Sequence, residues 1–95
     1  MSLLTDVKDA LRITHDSDDK LLKRLIDSAC YECVKFLNID DGGDAQSAVL
    51  ELPANVFNGV VLMVQADYDG DPEKRETSRN SALNLWQPFR ENLGA

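Results

Sequence analysis

Asp18-Asp19-Lys20-Leu21-Leu22-Lys23-Arg24-Leu25-Ile26-Asp27-Ser28-Ala29-Cys30-Tyr31-Glu32-Cys33-Val34-Lys35-Phe36-Leu37-Asn38 is the stretch that decides the fold class. Leu22, Leu25, Ile26, Ala29, Cys33, Phe36 and Leu37 recur in steps of three and four, the spacing that lines one face of an α-helix. Lys20, Lys23, Arg24, Asp27 and Glu32 fall mostly on the other side. Asp16 or Ser17 reads as the N-cap, with Asp18 and Asp19 placing negative charge at the positive end of the helix dipole. The helix is expected to stop near Asn38.

Upstream, Leu4, Val7, Ala10 and Leu11 mark a second apolar stripe, which predicts a helix from about Thr5 to Arg12 with Thr5 as its cap. Downstream, Asp40-Asp41-Gly42-Gly43-Asp44 reads as a wet, flexible loop. Ala45 to Leu52 is ambiguous, because Ala48, Leu50 and Leu52 alternate with Val49 and Glu51 as in a short extended piece. Pro53 suits the first position of a helix covering about Ala54 to Tyr68, where its missing N–H costs nothing. That helix is apolar nearly all round, which predicts a place at the centre of the fold or in a subunit contact. Asp67 to Arg79 reads as a charged connection, followed by a last short helix from about Asn80 to Trp86 that Pro88 ends. The expectation is an all-α fold in a single domain over residues 1–95. It is a small bundle of about four helices, two of them long and central, with a short extended segment as one of the two readings left open for Ala45 to Leu52.

Composition narrows the function classes. The 95 residues, 43% hydrophobic and 28% charged, are ordinary for a chain that folds around one modest core. Ten Lys and Arg against seventeen Asp and Glu leave a net charge of −7. That balance disfavours a grip on nucleic-acid phosphates or anionic membrane surfaces, both of which need clustered cations. The longest apolar run, Val60 to Val64, is far short of a membrane span, and the first residues carry no basic region followed by a long apolar core. Two cysteines are too few for a disulfide framework.

No motif carries recognisable chemistry. Cys30-Tyr31-Glu32-Cys33 has redox spacing, but a reactive first thiol belongs at a helix N-terminus and this pair lies mid-helix. A zinc site would need a second pair, and His15 is the one spare ligand of the usual kind. The two thiols read as small core residues. Asp67-Tyr68-Asp69-Gly70-Asp71 resembles the start of a calcium loop, yet Pro72 and Ser78 stand where the loop requires Gly and Glu. His15 sits in a short linker without a nucleophile motif, and no Gly-rich phosphate loop is present. These readings predict neither an enzyme nor a bound cofactor or metal. Lys8, Arg12, Arg75, Glu76 and Arg90 read as surface charges that gain importance only under a partner.

Three stretches, in order, resemble the tailed-phage head–tail connector family, also described as DNA-packaging adaptors. Thr5-Asp6-Val7-Lys8-Asp9-Ala10-Leu11-Arg12-Ile13, followed by His15-Asp16 and Asp18-Asp19, is similar to that family's "V-K-x-x-L-R-I" opening helix and acidic turn. Leu52-Pro53 opens an apolar helix that Lys74-Arg75-Glu76 follows, as in the family. Ala82-Leu83 and Leu85-Trp86-Gln87-Pro88-Phe89-Arg90 resemble its "L-L-x-P-[YF]-R" ending. The resemblance implies a helical virion subunit at the head–tail junction, assembled in the bacterial cytoplasm. It further implies subunits that form a ring under the portal protein, dock tail-completion or stopper proteins, and let DNA pass without specific binding. On that reading Trp86, Phe89 and Arg90 are candidate docking anchors, with closure of the core as the competing role for the two aromatics.

Two other classes remain open at this point. A cytoplasmic helical interaction module, such as an adaptor or antitoxin, fits the bare composition. An acyl-carrier-type protein fits it less well. Asp16-Ser17-Asp18 lacks the apolar residue that follows a carrier serine, and Asp27-Ser28-Ala29 falls inside a helix.

Overall fold

A computed structural model describes residues 3–39 and 42–92. Its elements are five helices: α1 (Leu3–Leu11), α2 (Asp19–Leu37), α3 (Ala45–Leu50), α4 (Ala54–Asp69) and α5 (Pro72–Asn92). The all-α bundle expected from the periodicity is the fold. Asp40 and Asp41 of the expected loop lie outside the described residues.

Helix α1 starts two residues before the expected cap, so Thr5 is an exposed residue within it. The earlier start buries Leu3 together with Val7. The helix ends at Arg12, whose φ of 59° places a non-glycine residue in the left-handed region. There the Arg12 N–H donates to the Asp9 carbonyl (3.2 Å) and the Ile13 N–H to the Lys8 carbonyl (2.9 Å). These bonds satisfy carbonyls that would otherwise be orphaned at the helix end.

The cap of α2 is Asp18 rather than Asp16 or Ser17, and its side chain makes no capping bond. That carboxylate is taken by Tyr68 of α4, whose hydroxyl donates to Asp18 Oδ2 at 2.6 Å. Asn38 stops α2 in the left-handed conformation, φ 57°, close to the expected end. The buried face comprises Leu22, Ile26, Ala29, Cys30, Cys33, Val34 and Leu37.

Ala45 to Leu50 is helical, which corrects the extended reading. Asp44 decides the outcome, because its carboxylate accepts from the Ser47 N–H (3.2 Å) and the Ser47 hydroxyl (2.7 Å). The turn sends Val49 into the core and leaves Leu50 exposed, the reverse of the alternating pattern.

Helix α4 takes the central position. It packs against all four other helices, most extensively against α5. Val56, Gly59, Val60, Met63, Val64 and Ala66 are buried, and no large apolar side chain of α4 is exposed. Pro53 stands one position earlier than expected, as the N-cap.

The charged connection and short last helix require correction too. Residues 67–69 complete α4, Gly70 caps it with φ 71°, and α5 then runs unbroken for 21 residues. Asp71 starts α5: its Oδ1 accepts from the N–H groups of Glu73 (3.0 Å) and Lys74 (3.4 Å). Pro72 follows in the first helical position, which its ring favours. Pro88 lies inside α5 instead of ending it. Its missing N–H leaves the Asn84 carbonyl without the usual helical donor, and Asn84 is exposed, so water can supply the bond.

One apolar cluster joins the five helices, and among the described residues no polar or charged residue is buried in it. Trp86 is its largest fully buried side chain.

Candidate functional site

The turn between α1 and α2 gathers carboxylates that fasten the fold. Lys8 Nζ lies 2.7 Å from both Asp16 Oδ1 and Asp19 Oδ1. The Lys8 side chain is only 13% exposed, so its charge is largely spent inside the subunit. The hydrogen bonds to Asp16 and Asp19 hold its pKa above the ordinary lysine value. The same contact holds the Asp16 carboxyl below its ordinary value. Tyr68 joins through Asp18, and that bond raises the phenol's pKa. One acidic turn therefore ties α1 on one side and the end of α4 on the other.

A surface groove of about 560 Å³ lies where α2, α4 and the start of α5 meet. Two ion pairs border it. Arg75 Nε lies 2.9 Å from Asp67 Oδ1, and Arg79 engages both Glu32 oxygens, with Nη2 to Oε2 at 2.7 Å and Nη1 to Oε1 at 3.1 Å. All four side chains are substantially exposed, so each pair contributes at most about 1 kcal/mol. Arg75 and Glu76 thus line one groove, whereas Lys8 and Arg12 do not line it. Sequence reading missed Glu32, Asp67 and Arg79 as partners because Glu32 and Arg79 lie 47 residues apart and Asp67 meets Arg75 only across the α4–α5 turn.

Trp86 sits inside the subunit with no exposed surface. Its indole N–H donates to the Val56 carbonyl at 2.9 Å, and its ring lies 6.1 Å from that of Phe36, tilted by 47°. Gly59 makes this possible: a Cβ there would overlap the indole Nε1 and lie 2.8 Å from Cε2. A lone glycine inside an apolar helix was the sequence signal for that close approach. Phe89 is half-buried against the core. The side chain of Arg90 lies outside the described residues.

The motifs with chemical spacing are used structurally. Cys30 and Cys33 are both fully buried free thiols, and burial pushes each pKa up to about 12. The protonated thiol is neither a nucleophile nor a ligand. The calcium-like carboxylates are dispersed, with Asp67 paired to Arg75, Asp69 exposed on α4 and Asp71 capping α5. His15 is exposed, with Nδ1 3.0 Å from the Ser17 hydroxyl oxygen. Among the described residues, no three His, Cys, Asp or Glu side chains are grouped to hold a metal, and no helix is long and apolar enough to cross a membrane.

What the surface does offer is contact area. Among the described residues the exposed large apolar side chains are Leu21 (46%), Leu50 (49%) and Tyr31 (50%), the last with Lys35 Nζ 5.3 Å from its ring centroid. Lys20, Lys23 and Arg24 stand exposed beside Leu21 on α2.

No curated protein and no solved structure matches the chain. A family model, described as phage gp6-like head-tail connector protein, matches residues 1–92, which spans all five helices, the acidic turn and the Trp86 segment. The chain therefore belongs to the phage gp6-like head-tail connector family, whose members are structural components of phage assembly rather than enzymes.

Proposed function

We propose that this protein is a ring-forming subunit at the head–tail junction of a virion, seated under the portal protein and presenting a docking face to tail-completion or stopper proteins. The observation that carries this reading is the family match over residues 1–92. The physical character of the chain supports it. Among the described residues, its core is filled from within, its thiols are buried, and its outward features are charges and three large apolar side chains. The net charge of −7 suits a channel wall that repels DNA phosphates, so that the duplex slides through without specific binding. A closed ring of identical subunits requires two different, complementary patches on each copy. Trp86 is committed to the core, so the candidate anchors that remain are Arg12, Arg75, Glu76, the half-buried Phe89 and Arg90, with Lys8 largely enclosed.

The test is affinity capture of the tagged chain from cells producing the phage, with the co-purifying proteins identified by mass spectrometry. Portal and tail-completion proteins in the eluate are the expected result. Recovery of metabolic enzymes, or of a single regulatory partner without virion proteins, would refute the proposal.

A further inference from the structure

We infer that two surface patches of this chain mate between copies: a basic patch on the first half of α2 in one subunit and an acidic patch on α3 in the next. The inference rests on the ring-forming reading above and names the surfaces that would join its members.

The basic patch is unusual for this molecule. The chain carries seventeen acids against ten bases, and Lys8, Arg75 and Arg79 are already engaged in ion pairs. Lys20, Lys23 and Arg24 are exposed and form no ion pair among the described residues. They share one helix face, Lys23 and Arg24 lying three and four residues after Lys20, and the one exposed acid one turn further along it, Asp27, is engaged by the Gln46 amide of α3. Lys20 also stands in the first turn of α2, where a cation opposes the helix dipole. This placement works against the helix, so the subunit's own stability does not account for it. Leu21, 46% exposed, lies beside Arg24 on the same side.

The acidic patch has the same construction with the opposite sign. On α3, Leu50 is 49% exposed, and Glu51 follows it, also exposed and unpaired among the described residues. Asp44 stands exposed at the start of the helix, its carboxyl held below the ordinary value by the hydrogen bonds from Ser47, so it stays charged. Each patch thus combines one exposed leucine with charge on the same element, Leu21 with Arg24 one turn on and Leu50 with Glu51 next to it, and the charges are complementary. An apolar centre with a charged rim is the anatomy of a protein–protein contact. The leucine at the basic patch and the net charge of −7 both argue against duplex DNA as its partner.

The test uses the purified full-length chain and two charge-altered forms. In the first, Lys20, Lys23 and Arg24 are each replaced by Glu. In the second, Asp44→Asn keeps a capping side chain while Glu51→Lys reverses the patch. Far-UV circular dichroism checks that both keep the helical fold. Sedimentation velocity at about 50 mM and about 500 mM salt reads association, because charge-driven contacts weaken as the Debye length shortens. The wild type is expected to associate at low salt, with an affinity at least ~10-fold weaker at high salt. Each altered form alone is expected to remain monomeric, and their equimolar mixture to associate again. Leu21→Ser and Leu50→Ser, which leave net charge unchanged, are expected to weaken association as well.

A wild type that stays monomeric at low salt, or association that persists in the first charge form, overturns the pairing. Loss of duplex-DNA binding in that form, with self-association unchanged, would reassign the basic patch to nucleic acid and also overturn it. If the charge forms still enter portal-bearing particles as the wild type does, the connector reading stands and this pairing falls.

Discussion

Replacing Trp86 by Phe and Gly59 by Ala, singly and together, probes how α5 is locked onto α4. Trp86→Phe removes the N–H that bonds the Val56 carbonyl, a loss of about 1 kcal/mol. The smaller ring also withdraws roughly 40 Å² of apolar surface, about another 1 kcal/mol. The sum, about 2 kcal/mol, is a sizeable part of the ~5–15 kcal/mol that stabilises a domain. For a chain of this length it corresponds to a fall in Tm of roughly 8–16 °C. Gly59→Ala in the wild type gains about 1 kcal/mol of helix propensity. Its Cβ, however, would overlap the indole Nε1 and sit 2.8 Å from Cε2, and relieving such overpacking costs about 1–3 kcal/mol. The net effect is expected to be destabilising. In the Trp86→Phe background the nearest obstructing atom is gone, so the same alanine is expected to be neutral or to stabilise by up to about 1 kcal/mol. Thermal and urea unfolding followed by far-UV circular dichroism complete the double-mutant cycle, with an expected coupling of about 2 kcal/mol. Additive effects, or a Trp86→Phe variant that melts with the wild type, would refute this account of the α4–α5 contact.

Three other outcomes are expected. The Asp16 pKa is lowered by Lys8, so its contribution to stability is present above the ordinary carboxylate range and is lost as pH falls through the folded value. The Lys8 pKa is raised, so its contribution is lost as pH rises through the folded value; Lys8→Met should flatten the stability profile at both ends of a pH series of urea melts. Cys30 and Cys33, with pKa values pushed up to about 12 by burial, should resist a disulfide reagent in the native chain and react only as fast as the protein opens. Arg12→Gly removes a side chain from the left-handed conformation at φ 59° and should raise stability by about 0.5–1 kcal/mol, read as a higher urea midpoint with an unchanged slope.

The helices that the sequence made legible are those whose own periodicity sets their position. Helix α2 announces its face through Leu22, Ile26, Ala29 and Cys33, and α4 announces its centrality by being apolar nearly all round in its middle. Helix α5 was harder because residues 73–81 are polar throughout and present no stripe. Its start was nevertheless written in Asp71-Pro72-Glu73, a capping carboxylate, a ring suited to the first turn and an acid near the positive end of the dipole. Pro88 was misread because a proline near a helix end needs only a solvated carbonyl behind it. At α3 the alternation of Ala48, Leu50 and Leu52 competed with the capping bonds of Asp44, and local hydrogen bonding won. Of the candidate site, the charges were readable as types and unreadable as partners. Lys8 reaches Asp16 and Asp19, Asp18 reaches Tyr68, and Glu32 reaches Arg79 only after helices have packed. Trp86 carries both an anchor's chemistry and a core residue's bulk, and only the room left by Gly59 resolves which one it uses within the subunit.

The central placement of α4 separates two kinds of evolutionary freedom. Its buried residues, Val56, Gly59, Val60, Met63, Val64 and Ala66, are enclosed by the subunit's own chain, so substitutions among them answer to folding first. The exposed faces of α2 and α3 and the start of α5 owe little to the core, so they can drift to match a different neighbour without unfolding the subunit. A lineage built on this plan can exchange docking partners while keeping one scaffold, provided that its innermost helix is left alone.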